Sequence, residues 1–199
     1  AIGHNRYSTT GETSLRNIQP FFADLHTGGI SISHNGNLTN AIELRESLVK
    51  EGAIFRTTSD TETIVQLVAK SKRVKIIDKL IDALFQIQGG YSLVIMTNKK
   101  LIGVRDPFGI RPLVIGKIKD SYILASETCA LDIVGASFIR EVENGEIVVI
   151  DKMPQNFRFI PLICAAFPEA KIVHVERTAP ATCWSNYKHY FASDHLDYC

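Results

Sequence analysis

An α+β domain built on antiparallel sheets is the fold class this sequence predicts. Between residues 41 and 87 the apolar residues recur at helical spacing in successive segments. From residue 91 to 150 the period changes to short alternating or continuous apolar runs. The links between those runs are of hairpin length and rich in Asn, Gly and Pro. Strands, then helices, then strands again, with short connections, favour antiparallel pairing.

Taken in order, Ala1–Gly11 is expected as a short strand entering a Ser/Thr-rich loop. Arg6, followed by Ser8, Thr9 and Thr10, can grip a carboxylate with a bidentate fork and hydroxyl support; the plainer reading is a surface arginine. Asn17–Phe22 is extended chain leading into a hairpin. Gly28–His34 alternates apolar and polar residues and is expected as a half-buried strand. Asn35-Gly36 then offers a turn with positive φ, which would leave an amide side chain and a backbone N–H at the strand end. Two such donors are what an oxyanion hole needs; turn chemistry alone is the plainer account.

Thr39 or Asn40 can cap a helix over Ala41–Lys50, with Ile42, Leu44, Leu48 and Val49 inward and Gly52 ending it. Ser59 or Asp60 can cap a helix over Thr63–Ser71, whose inner face is Ile64, Leu67 and Val68. Asp60 has a plain job at a helix start; its alternative is to face a pocket and bind an ammonium group. Lys75–Ile87 carries Ile77, Leu80, Ile81, Leu84 and Phe85 as a core stripe, terminated by Gly89-Gly90.

Strands are expected over Tyr91–Met96, Leu101–Arg105, Arg111–Gly116, Ser121–Ala125, Phe138–Val142 and Glu146–Ile150. Asp106-Pro107-Phe108-Gly109 is a turn by composition. Ser126-Glu127-Thr128 opens a short helix ending near Gly135, in which Cys129 is expected as a small buried apolar residue. After Asp151 the composition shifts: Pro154, Pro161, Pro168 and Pro180 punctuate the chain, and the only Trp is Trp184. Phe159–Ala166 is expected as a helix, Lys171–Val175 as a buried strand and Ala181–Phe191 as a helix, so a domain boundary falls at about residue 151.

The formal charge is +1, which implies no polyanionic partner and argues against nucleic-acid binding through a basic surface. Cys129, Cys164, Cys183 and Cys199 show no C-x-x-C spacing; their scatter suits a reducing, cytoplasmic setting. No signal peptide or membrane-spanning run is read. His189, His195 and Cys199 match no standard metal cage, so no metal is expected. Ala1 is not an initiator Met and the end at Cys199 is abrupt, so the chain is expected to be a fragment at both ends.

Seven stretches in order then give a resemblance. They are Gly3–Gly11, Asn17–Pro20, His34–Leu38, Thr58–Glu62, Arg105–Leu113, Ala125–Ala130 and Arg140–Val142. Through them, residues 1–151 resemble the class II glutamine amidotransferase domain of the amidophosphoribosyltransferase family. That resemblance implies an N-terminal-nucleophile (Ntn) four-layer αββα sandwich, here lacking its first strands, so that a sheet edge would be exposed. It implies L-glutamine as the ligand. Arg6 and Thr9 would hold its α-carboxylate and Asp60 its α-ammonium. The Asn35 side chain and the Gly36 N–H would stabilise the oxyanion. No cofactor is implied for this domain; Mg and phosphoribosyl pyrophosphate would belong to a phosphoribosyltransferase domain outside these residues. The full-length family member would be a homo-oligomer acting in purine biosynthesis. The family's nucleophile is a cysteine at the mature N-terminus, whose α-amino group serves as base. Ala1 stands first here, so the chain is expected not to hydrolyse glutamine, and a non-catalytic glutamine-binding module is the alternative.

Residues 152–199 resemble another family, through Phe167–Arg177 and Thr182–Tyr187. It is the sulfotransferases that use 3′-phosphoadenosine 5′-phosphosulfate. Arg177 and Ser185 would bind the cofactor's 3′-phosphate, as a cation and a helix N-terminus can. The matching 5′-phosphosulfate loop is not found. The expectation is an α/β appendage joined near Asp151-Lys152 to an unrelated gene fragment, and a sulfotransferase remnant is the third reading of the whole chain.

Overall fold

Two antiparallel sheets lie face to face; among the described residues the larger has helices on its outer side and the smaller a single short helix. The computed structural model describes residues 1–5 and 15–151, all within a unit spanning Ala1–Met153. The elements are β1 (Phe21–Leu25), β2 (Gly28–Leu38), α1 (Ala41–Lys50), α2 (Asp60–Lys70), α3 (Ile76–Leu84), β3 (Gly89–Thr97) and β4 (Lys100–Arg105). They continue with β5 (Val114–Ile118), β6 (Ser121–Ala125), α4 (Thr128–Ile133), β7 (Ser137–Glu141) and β8 (Ile147–Asp151). One sheet runs β1-β2-β3-β4-β8 and the other β6-β5-β7.

Three apolar clusters define the layers. Ile30, Ile32, Leu93, Ile95, Ile102 and Val104 of the larger sheet are buried against Ile64, Leu67 and Val68 of α2 and Leu80 of α3. Leu113, Ile115 and Val142, with Val94 and Val148, fill the space between the sheets. Gly103 of β4 belongs to that seam: a side chain there would meet Leu124 within 2.9 Å. Val114, Leu131 and Ala136 bury the outer face of the smaller sheet under α4. The order is helix, sheet, sheet, helix, because each sheet has two apolar faces and every face must be covered.

The hairpin β1–β2 closes through His26 and Thr27, with Leu25 opposite Gly28 and Phe21 opposite Ile32. β2 continues past the end of β1 and pairs with β3 down to Leu38 opposite Gly89. Asn35-Gly36 is therefore not a turn: Asn35 pairs with Ser92 and Gly36 with Tyr91 inside the ladder. The positive φ of Gly36 (142°) serves close approach instead, since a Cβ there would lie 2.8 Å from the Tyr91 Cα and closer still to the Gly90 carbonyl oxygen. Gly89 and Gly90, expected to end a helix, open β3.

Other expectations shift for stated reasons. Residues 1–5 are not a strand. Asn40 sits at the N-cap of α1 but does not cap it with its side chain. Its amide spans to the α3–β3 link, donating to the Gln86 carbonyl (2.8 Å) and accepting from the Gln88 N–H (2.9 Å). Ile42 and Val49 face solvent on α1, and Phe85, just beyond α3, is 88% exposed. In both cases the buried stripe is narrower than the apolar one, with Leu48 of α1 and Leu80 and Ala83 of α3 at its centre. Cys129 is exposed, not buried, because α4 is short and turns only Leu131 fully inward. Among the described residues no helix is long and apolar enough to cross a membrane.

Candidate active site

The far end of β2 gathers the polar residues that the core otherwise excludes. Main-chain N–H groups alternate sides along a strand. His34 N–H donates to the Gln19 side-chain oxygen at 2.6 Å, on the β1 side. Leu38 N–H, on the same side, donates to Asp60 Oδ2 at 3.0 Å. Thr39 N–H, of opposite parity, donates across the other side to the Gln88 carbonyl at 2.8 Å. Gly36 lies between His34 and Leu38 and shares their parity, so its N–H is aimed at the edge where β1 has already ended. A backbone donor thus arises at Gly36, through the unequal lengths of two strands and not through a strand stop. The Asn35 side chain projects from the opposite sheet face to His34, and it makes no hydrogen bond to another described residue.

Asp60 reaches this edge because α2 starts beneath it. Ser59 is the N-cap, its hydroxyl accepting from Thr61 N–H. Asp60, Thr61, Glu62 and Thr63 are all buried, an unusual first turn. Glu62 accepts from Thr57 N–H (2.8 Å), the Thr57 hydroxyl (2.7 Å) and Arg56 N–H (2.9 Å). Asn17 and Thr58 exchange two hydrogen bonds, of 2.8 and 3.1 Å, which tie the segment before β1 to the same helix start. Arg45 of α1 donates to the Thr57 carbonyl at 2.7 Å and lies over Phe55.

Asp60 Oδ1 stands 3.4 Å from His34 Nδ1, both side chains being almost wholly buried. Burial alone would raise the Asp60 carboxyl; the hydrogen bond and charge of His34, with the N–H groups of Leu38 and Thr61, outweigh it and hold the group below the ordinary carboxylate value. A lowered carboxyl stabilises the fold fully above the unfolded-state value and loses that contribution as pH falls through the folded one. Acidifying from about pH 5 to about pH 3 should therefore cost the wild type more stability than an Asp60→Asn variant. Urea midpoints across that range measure it, and equal slopes for the two proteins would refute it.

Of the sequence-derived candidates, the structure brings Asn35, Gly36 and Asp60 to one end of β2. Arg6 and Thr9, and likewise Arg177, Ser185, His189, His195 and Cys199, lie outside the described residues. Gln19, His34 and Asp106 were given no role by the sequence reading. Asp106 is fully buried, and its carboxylate accepts from the N–H groups of Tyr91, Phe108, Ile110 and Arg111. Arg105 donates to the carbonyls of Gly109, Arg111 and Val142 and so fixes the same loop, whose Ile110 covers Gly90 beside the end of β2.

An αββα sandwich of two antiparallel sheets between helix layers is the fold of the Ntn class. Residues 4–132 match the glutamine amidotransferase domain family, and the chain belongs to that family. Amidophosphoribosyltransferase of Rhizobium etli is 54% identical over 156 residues, which is 78% of this chain and 32% of that protein. The Staphylococcus aureus enzyme of the same name is 49% identical over 152 residues, 76% of this chain and 31% of that one. Among solved structures, glutamine phosphoribosylpyrophosphate amidotransferase of B. subtilis, complexed with ADP and GMP, has a TM-score of 0.71 at 41% identity. It is matched over 75% of this chain and 32% of that one. The chain thus spans about a third of the length of these relatives. A further match, to the sulfotransferase family, covers residues 116–199, of which 116–151 are strands and helix of the sandwich described above.

Proposed function

We propose that residues 1–151 form the glutamine site of an amidophosphoribosyltransferase-type amidotransferase domain. The observation that carries this is the Asp60–Leu38 contact, which sets a carboxylate at the strand edge where Gly36 points its N–H. Free glutamine is a zwitterion, so its site needs one anion and one cation. Asp60 takes the α-ammonium; Arg6, with Thr9, takes the α-carboxylate in a bidentate fork. The side-chain amide carbonyl then lies against the Gly36 N–H and the Asn35 amide, which stabilise the negative charge that grows on it when a nucleophile attacks. In the full-length class, the ammonia released would be passed to phosphoribosyl pyrophosphate, giving 5-phosphoribosylamine in a cytoplasmic enzyme.

The attacking group in this family's chemistry is an N-terminal cysteine, and the first cysteine among these 199 residues is Cys129. Cys129 lies on α4, over the smaller sheet. A polypeptide of these 199 residues alone is expected to bind glutamine without cleaving it. Titration calorimetry with L-glutamine should show binding that Asp60→Asn weakens roughly 10- to 100-fold, the worth of a hydrogen bond to a charged group. An undiminished affinity in that variant would refute the ammonium assignment. Release of ammonia that Asn35→Ala abolishes would refute the inactivity. The sulfotransferase-family match favours a second reading for residues 152–199 alone, with Arg177 and Ser185 as the pair assigned to a 3′-phosphate.

A further inference from the structure

We propose that His34 is a positioning residue for glutamine binding, fixing the orientation of Asp60 from beneath the strand edge. The inference rests on the reading of Asp60 given above but concerns a residue that reading does not use.

A carboxylate accepts hydrogen bonds and donates none, so a nitrogen facing it must carry the proton. His34 Nδ1 is 3.4 Å from Asp60 Oδ1 and 3.3 Å from the Thr61 hydroxyl oxygen. Nδ1 thus stands at hydrogen-bond distance of the Thr61 hydroxyl and at ion-pair distance of the carboxylate. The other ring nitrogen, Nε2, is buried and has no partner among the described residues. Burying a polar atom without a partner costs free energy that a leucine or methionine of similar volume would avoid. His34 points into the helix-facing side of β2 between Ile32 and α2, where such a residue would pack well. What the imidazole supplies there, and no apolar side chain can, is its hold on Asp60.

That hold has a geometric consequence. Oδ2 is held by Leu38 N–H on the strand and Oδ1 by His34, so the carboxylate is gripped at both oxygens. A carboxylate has about four lone-pair directions; His34 and the N–H groups of Leu38 and Thr61 engage three, and one stays open for a ligand. With the plane fixed, that direction is aimed before the ligand arrives, and the entropy of ordering it is not charged to binding. Among the described residues, His34 is the one ionisable side chain that acts on Asp60; Glu62, on the same helix turn, is directed to Arg56 and Thr57.

The test compares His34→Asn, His34→Gln and His34→Leu in the full chain. An asparagine amide can stand where Nδ1 stands; a glutamine amide reaches toward Nε2; leucine fills the space only. Glutamine affinity by calorimetry should stay within about threefold of wild type in His34→Asn and fall roughly tenfold or more in His34→Leu and His34→Gln. Thermal unfolding should rank His34→Leu no lower than His34→Asn. A purely structural role predicts the reverse order of affinities, and wild-type binding by His34→Leu overturns the proposal. If the wild-type chain binds no glutamine, the functional reading fails, and the hold of His34 on Asp60 is read separately. Nitrogen-15 spectra of the imidazole should then show the proton on Nδ1. The Asp60 carboxyl, followed by carbon-13 shifts, should titrate higher in His34→Leu than in wild type or His34→Asn. A proton on Nε2 alone, or an unmoved Asp60 titration, overturns it.

Discussion

Gly36→Ala is expected to destabilise the sandwich by about 3–5 kcal/mol, enough to unfold much of the protein at ordinary temperature. Two costs coincide. The backbone at Gly36 has φ 142°, a region that side-chain-bearing residues rarely enter. A Cβ would also meet the Tyr91 Cα at 2.8 Å and the Gly90 carbonyl more closely, and backbone atoms locked in the β2–β3 ladder cannot step aside. Gly135→Ala is the control: φ is 69° and nothing lies within 4 Å of the added atom. That variant should lose only about 1 kcal/mol, the cost of left-handed backbone alone. Urea midpoints of the two variants measure the difference. Should Gly36→Ala lose no more than Gly135→Ala, β2 and β3 do not approach one another as described. Any surviving Gly36→Ala protein would also carry a displaced donor at the strand edge, so its glutamine affinity should fall with its stability.

Asp106→Ala should cost about 3–4 kcal/mol, although among the described residues the side chain makes no ion pair. The Asp106 carboxylate accepts four main-chain N–H groups, at 2.9 Å from Phe108, 3.1 Å from Arg111, 3.2 Å from Ile110 and 3.3 Å from Tyr91. Truncation removes the acceptor for all four at once, and the site is fully buried, so water cannot replace it without opening the loop. Asp106→Asn keeps the shape but turns a donor toward donors, and should lose about half as much. Amide hydrogen exchange gives the sharper readout: the amides of Phe108, Ile110 and Arg111 should exchange much faster in Asp106→Ala at temperatures where β2 and α2 stay protected. Unchanged protection at those three would show that the cage does not hold the loop. Ile110 covers Gly90, so glutamine binding should weaken in the same variant even where the fold survives.

Helical and strand periods were legible residue by residue where one face is apolar and the other polar. α2 shows Ile64, Leu67 and Val68 inward as its spacing requires, and the strands from Tyr91 to Ile150 fall within a residue or two of their expected bounds, except that β5 begins at Val114, three residues after the expected Arg111. The period gives phase, not the width of the buried stripe. Ile42, Val49 and Phe85 match the apolar phase and still face solvent, because α1 and α3 cover the sheet's margin and not its centre. Cys129 is a similar case on a short helix. Asn35-Gly36 has the composition of a turn, yet the dipeptide continues a strand, since glycine's freedom was needed for a close crossing with Gly90. Local chemistry states that a glycine is required; it does not state which of its uses applies.

By itself, then, the sequence determined the elements, the antiparallel class, and the family resemblance that singled out Asn35, Gly36 and Asp60. These rest on periods and motifs that are complete within a few neighbouring residues. Only the tertiary structure decided that β2 outruns β1, that α2 begins beneath its open end, and that His34, Gln19 and Asp106 serve that end. Such facts depend on strand lengths and crossings between segments far apart in the chain, where hydrogen-bond partners are chosen by what the packing brings within reach.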